Sequence, residues 1–507
     1  MKARYLIALL LLAACTAQPP SSQAPAGQTP QLNPASSGTA PGVTLDPLTT
    51  IAPSLPDSPT VSPTPQTVSP EARTQYTLTA VLNYAQHYLV VDERIDYLNQ
   101  STEYLSNLLL MVEPLYYPGV FRLNGLAWGN GQTVENYEVR NSQISIPLPQ
   151  ALAPGERIVL SLSYELYLPS PTPSAETRPV PFGYTARQTN LVDWYPFIPP
   201  YKEGQGWVAH PAGFFGEHLV YAIADFDVSL RIADPRSDLT VAASAEAEEQ
   251  GEWLHFMHPA ARNFAWSVSH TYTVAEHQVE GVLVRSYAFP YHEASGEAVL
   301  QTTAKALALY EKLFGPYPRQ LMSVVEADFL DGMEYDGMYF LSNGFYNLYQ
   351  GTPGEYLVAI AAHETAHQWF YALVGNDQAL EPWLDEALCT YSERLYYEQF
   401  FPEALDWWWT YRVQYYNPRG WVDGSIYNPQ GYRAYRDAVY LNGAVFLEEL
   451  RDLVGEEAFF NLLQSYVTSY AHQISSTQDF FALLREHTAE DITPLTNRYF
   501  QSLESSR

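Results

Sequence analysis

From about residue 73 to 275, apolar and polar positions alternate with a period of two. Tyr76, Leu78, Ala80, Leu82 and Tyr84 share one side of one run, and Ile158, Leu160, Leu162, Tyr164 and Leu166 share one side of another. Successive side chains of a strand point to opposite faces, so each run predicts a strand with one buried face. Pro154-Gly155 supplies a turn before the second run, and Asp225 to Ile232 reads as a further strand. Repeated short strands separated by turns predict an antiparallel β-sandwich or saddle-shaped sheet.

From about 276 the period changes. Val282 to Ala288 reads as a strand, Ser295 to Phe314 as a helix ended by Gly315-Pro316, and Leu321 to Phe329 as another strand. Thr352-Pro353-Gly354-Glu355 has the form of a capping box with Pro at the first helical position, and Gly375 is a helix stop. Between them Tyr356, Ile360, His363, His367, Phe370 and Val374 form one stripe at three- and four-residue spacing. Leu357, Ala361, Ala362, Trp369 and Ala372 make the other faces apolar too, so this helix is expected to be buried. A second helix is expected from Pro382. From 388 the chain reads as mainly helical, with an aromatic cluster (Trp407, Trp408, Trp409, Tyr415, Tyr416) that most simply belongs to a core. The fold class is therefore multidomain α+β, with a β domain over 73–275 and a mixed α/β domain over 276–507 whose C-terminal part is mainly helical.

The 507 residues suffice for two or three domains. The formal net charge of −30 argues against nucleic acid as a partner, because binding there rests on Lys and Arg neutralising phosphates. Lys2 and Arg4 precede an apolar run, Tyr5 to Leu12, that is too short to span a bilayer. The run ends in Leu12-Ala13-Ala14-Cys15, which resembles a bacterial lipoprotein signal. Residues 1–14 are expected to be removed, Cys15 to carry lipid, and the protein to be exported and held at a membrane facing away from the cytoplasm. Residues 15–72 are rich in Pro, Ser and Thr without apolar periodicity, as in a disordered tether. Cys389, the other cysteine, lies in an apolar helix and is expected to be a small buried residue.

The chemistry centres on His363-Glu364-Thr365-Ala366-His367, followed after eighteen residues by Glu386 within Trp383-Leu384-Asp385-Glu386-Ala387. Histidines four apart sit one turn apart on one helix face, where both imidazoles reach one metal ion. Glu386 is the third ligand by this reading, and zinc the metal. Two His and one Glu leave a fourth position for water, and Glu364 is placed to act on that water as a base.

These residues and their setting resemble the aminopeptidase-N family of zinc metallopeptidases, a gluzincin family. The resemblance extends to weaker matches in the β region: Trp194-Tyr195-Pro196, Phe226-Asp227-Val228 and Ala261-Arg262-Asn263-Phe264-Ala265. It implies a thermolysin-like peptidase domain. It aligns Asp331-Gly332-Met333-Glu334-Tyr335 with the family's G-x-M-E-N segment, whose glutamate binds the substrate's α-ammonium group, so Glu334 takes that role. Asp331 stands where the family has Gly, and Tyr335 where it has Asn. Val439-Tyr440-Leu441-Asn442-Gly443 resembles the family's Y-x-K-G segment, with Asn442 in place of Lys, which makes Tyr440 the hydrogen-bond donor to the oxyanion.

About 67 residues follow Tyr440, so the resemblance implies a short form without the family's long helical C-terminal domain and with a more open cleft. The expected activity is zinc-dependent removal of N-terminal residues from peptides. Two alternatives stay open: an endopeptidase or other amidase using the open cleft, and a non-catalytic peptide-binding surface lipoprotein.

Overall fold

The computed structural model describes residues 73–170, 180–234, 236 and 238–501. The expected signal, Cys15 and the tether lie outside these residues. Strand Thr74–Asn83 buries Tyr76, Leu78, Ala80 and Leu82 on one face, and strand Arg157–Tyr167 buries Leu160, Leu162, Tyr164 and Leu166. Both belong to a seven-stranded sheet with the spatial order Ala247–Gln250, Trp253–Ala261, Ala224–Ile232, Thr74–Asn83, Tyr88–Leu98, Arg157–Tyr167, Phe121–Trp128. Its neighbours run antiparallel except Thr74–Asn83 and Ala224–Ile232, which pair in parallel. The inner face meets two smaller sheets over one apolar core.

The period-two pattern does not stop at 275. Strand Thr273–Val279 straddles the expected boundary and pairs with Val282–Ala288 through a turn at Glu280-Gly281, both at positive φ. This hairpin forms one edge of a five-stranded sheet. Val282–Ala288, Leu321–Ala327 and Met338–Ser342 run parallel, and Gly332–Tyr335 closes the far edge antiparallel. Helix Glu293–Phe314 makes the crossover between the first two, as parallel strands require. One face of this sheet (Val284, Val324, Tyr339, Leu341) joins the core beneath the helices. The other (Tyr287, Val325, Phe340) joins the β-domain core. All seven residues of Leu321–Ala327 are buried, as in a sheet covered on both sides, and only Ser323 and Glu326 interrupt the apolar run.

The histidine helix is shorter at both ends than the pattern predicts, spanning Tyr356–Ala366. At its start the Thr352 hydroxyl donates to the Glu355 carboxylate (2.6 Å), as does the Thr352 backbone N–H (2.8 Å). The Glu355 N–H goes to the Pro353 carbonyl (2.9 Å) rather than to the hydroxyl, and the helix begins after Glu355. At its end, Arg262 of the β domain reaches in and donates to the carbonyls of Tyr371, Ala372 and Leu373, each at 3.2 Å. The helix has already given way there to bonds five residues back, from the N–H groups of Ala372, Leu373 and Val374 to the carbonyls of His367, Gln368 and Trp369, and Tyr371 sits at φ 141°. His367 is the last residue in the helical region, with φ −59° and ψ −15°, so it still lies one turn below His363.

Helix Trp383–Phe400 follows Pro382 as expected. Trp383 anchors it among Phe446, Phe480, Phe481 and Phe500 of the C-terminal helices, with ring centroids 5.0–6.2 Å away. Of the aromatic cluster assigned to the core, Trp408 is fully buried, but Tyr415 is exposed. No described helix is long and apolar enough to cross a membrane.

Candidate metal centre and active site

His363, His367 and Glu386 each present a ligand atom, and these atoms lie within 4.8 Å of one another. His363 Nε2 is 3.2 Å and His367 Nε2 3.6 Å from Glu386 Oε2. The opposite ring nitrogens are held from behind. His363 Nδ1 donates to Glu393 Oε1 (3.0 Å), and His367 Nδ1 donates to the Phe370 carbonyl (3.1 Å). These bonds set the tautomer, so both Nε2 lone pairs face Glu386. The carbonyl of Phe370 is free to accept because the helix has already ended.

Glu393 is fully buried and would be costly alone. Arg412 grips both its oxygens (2.8 and 2.9 Å), and Trp408 Nε1 adds a third bond at 2.8 Å. Burial would raise the carboxyl, but Arg412 and His363 hold it below the usual carboxylate range. Glu386 behaves alike: burial pushes it up, and the two imidazoles bring it down to about 2. His363 is pulled the other way. Burial disfavours its cation, yet Glu386 and Glu393 raise it to about 9.

This donor set fits a divalent ion such as zinc: two imidazoles, one carboxylate, and a second carboxylate that orients a ligand from behind. Glu364 strengthens the fit. Its Oε2 is buried with no hydrogen-bond partner among the described residues, and burial pushes its carboxyl up to about 8. Its other oxygen rests against Gly332, where a Cβ would fall 2.0 Å from Oε1. Glycine is required there by the close approach of strand and carboxylate.

Glu334 points into the same cavity of about 450 Å³. It accepts from Gln378 Nε2 at 3.0 Å, and burial raises its carboxyl. A Glu334 carboxylate oxygen lies within 4.8 Å of ligand atoms of both Glu364 and His367. Tyr335, the departure from the family Asn, packs against Phe340 in the β-domain core and does not line the cavity. Asp331, the departure from Gly, sits at φ 129°, a conformation glycine favours, and accepts from the Tyr432 hydroxyl at 3.3 Å.

Tyr440 donates to Glu386 Oε1 at 2.5 Å, and its ring lies parallel to that of His363, 6.1 Å away. It is carried by a wide helical turn, Asp437–Asn442, of the i→i+5 kind that recurs at functional sites. Asn442 turns away and donates to the Gly420 carbonyl. Cys389 is buried, and burial pushes its thiol up, in keeping with a packing role.

The fold thus gathers His363, His367, Glu386, Glu364, Glu334 and Tyr440 around one cavity. Sequence reasoning missed Glu393, Arg412, Gln378 and the Gly332 contact. Glu393 lies seven residues after Glu386, two turns along the same helix, but a lone acidic residue among 56 carries no signal of its own.

Fold and site together place two imidazoles and a ring of carboxylates in one cavity between sheet and helices, and known proteins share parts of this arrangement. Residues 298–499 match the Peptidase family M1 domain. Aminopeptidase M1-A of Oryza sativa subsp. japonica is 27% identical over 240 residues, which cover 43% of this chain and 27% of the relative. Aminopeptidase M1 of Arabidopsis thaliana is 27% identical over 245 residues, covering 45% and 27%. The match therefore spans about a quarter of the length of these relatives. Among solved structures, an M1 zinc metallopeptidase from Deinococcus radiodurans superposes with a TM-score of 0.57 at 21% identity, covering 82% of this chain and 91% of that one. A two-domain M1 zinc metallopeptidase bound to L-tryptophan gives 0.58 at 20% identity, covering 86% and 92%. Over residues 298–499 the chain is thus similar to the peptidase M1 domain, and its fold is that of the two-domain M1 structures.

Proposed function

We propose that this protein is a zinc-dependent aminopeptidase. One observation carries the reading: the Glu334 carboxylate lies within 4.8 Å of Glu364 and His367. A carboxylate so close to the reacting groups leaves room for one residue between a substrate's α-ammonium group and the scissile bond. His363, His367 and Glu386 would hold the zinc ion, which would supply Lewis acidity toward water and the scissile carbonyl. Glu364 takes the proton from the attacking water and delivers it to the leaving amine. Tyr440 turns its hydroxyl from Glu386 toward the developing oxyanion, where a neutral phenol is a suitable donor. Glu334 pairs with the α-ammonium group and sets the register.

The test uses a peptide mixture, each peptide supplied free and N-acetylated, with products read by mass spectrometry with and without chelator. Chelator-sensitive trimming of the free forms alone is expected. Internal cuts in both forms would replace this reading with an endopeptidase. Bound zinc without any cleavage would make it a binding protein. Glu364→Gln is expected to keep the metal and lose turnover.

Location is part of the same proposal. The Lys2 to Cys15 pattern supports export and lipid attachment at Cys15, with the enzyme acting on peptides outside the cytoplasm. Labelling cells with a tagged fatty acid tests it: label on the wild type and none on Cys15→Ser is expected.

A further inference from the structure

Beyond the catalytic cavity lies an open trough of about 520 Å³. Its walls are largely apolar: Leu348, Tyr356, Trp407, Tyr411, Tyr415 and Tyr416. It adjoins the catalytic cavity, since Phe345, Tyr356 and Tyr416 line both. The trough is built rather than incidental. Trp407 lies over Gly354, where a Cβ would come 3.1 Å from the indole, and packs edge-on against Tyr356. The hydroxyls of Tyr356 and Tyr416 meet at 3.0 Å. Leu348 and Tyr415 are nonetheless 74% exposed. Glu355, the acid in its wall, already accepts from the backbone N–H groups of Gln350 and Thr352, so the surface offered to a ligand is mostly apolar.

Its place relative to the site gives it a direction. The histidine helix runs from Tyr356, at the trough, to His367, beside Glu334. Eleven residues separate these ends, or roughly 16 Å at about 1.5 Å per residue. An extended peptide covers that span in about five residues at ~3.3 Å each. We infer that the trough receives the downstream part of a peptide whose N-terminus is at Glu334, and that it selects an apolar or aromatic side chain near the fifth position. The inference rests on the aminopeptidase reading for its direction. It makes the substrates peptides of some five residues or more, bound in part by contacts remote from the scissile bond.

The test compares a tripeptide with hexapeptides that carry either one Phe or one Asp at the fourth, fifth or sixth position, the rest being Ala. For the full-length wild type, the best Phe hexapeptide is expected to exceed its Asp counterpart and the tripeptide at least tenfold in kcat/KM, mainly through KM. In the double variant Leu348→Ser, Tyr415→Ser that ratio is expected to fall below about threefold. Both side chains are mostly exposed, so the fold tolerates the change. A wild-type ratio near one, or a ratio unmoved in the double variant, overturns the inference. If no peptide is cleaved, the aminopeptidase reading fails separately. Tryptophan fluorescence of the Glu364→Gln protein titrated with the same hexapeptides then decides the trough: a tenfold preference for Phe, lost in the double variant, supports it, and equal affinities overturn it.

Discussion

Glu393 Oε1 lies 3.0 Å from His363 Nδ1, and Arg412 holds the same carboxylate from its other side. The metal ligand, the carboxylate and the guanidinium form one buried row. Glu393→Gln removes the charge that makes His363 a stronger base and leaves Arg412 without a counter-charge. Zinc affinity is expected to fall by about 10–100-fold, measured by competition with a chromophoric chelator. Stability is expected to fall as well, because a buried cation loses its partner. Glu364→Gln, which touches no ligand from behind, is expected to hold zinc as the wild type does.

The proposed mechanism gives Tyr440 a role in the reaction beyond its hydrogen bond to Glu386. Tyr440→Phe keeps the ring beside His363 and deletes only the donor. Loss of one preorganised donor costs about 10²–10³ in kcat. Steady-state kinetics are expected to show that loss with KM changed by no more than a few fold. An equal loss in KM would mean that Tyr440 binds the ground state.

Gly332 and Asp331 are adjacent and should respond in opposite ways. In Gly332→Ala the new methyl would meet Glu364 Oε1 at 2.0 Å, so the general base must move. Activity is expected to drop at least about a hundredfold, as misplacement of a reacting group does, with zinc still bound. Asp331→Gly instead relieves a side chain held at φ 129°. It is expected to raise unfolding stability by about 1 kcal/mol in denaturant titrations.

Acid sensitivity is expected to involve His472. Burial, aided by the charge of Arg262, lowers its pKa from 6.5 to about 4, and its Nδ1 has no hydrogen-bond partner among the described residues. The folded state thus binds its proton less readily than the unfolded state. The resulting stability is present above about pH 6.5 and is lost as pH falls through about 4. His472→Asn removes the titration and suits the backbone, since His472 sits at φ 64° and Asn tolerates that region. Urea midpoints measured from pH 7 to 4 are expected to fall less steeply for the variant.

Local chemistry was legible in the chain. Histidines four apart need only a helical turn to meet, and that turn survives although the helix ends eight residues before Val374. Strands with one buried face announced themselves by alternation, and helix Trp383–Phe400 by Pro382 and its apolar entry. Glu386 followed from the need for a third ligand near the histidine pair, whereas Glu334 and Tyr440 entered only through resemblance of short segments, because residues that meet across tens or hundreds of positions share no local pattern. What the tertiary structure decided is what depends on a distant partner. Past the helix end the Val374 N–H bonds Trp369 rather than Phe370, which leaves the Phe370 carbonyl to hold His367, and Arg262 of the β domain binds the next three carbonyls. Glu393 acquires meaning only when Arg412 is folded against it, and Gly332 only when Glu364 lies over it. A sequence states propensities residue by residue. Hydrogen-bond competition, burial and close approach are properties of pairs, and the fold alone chooses the pairs.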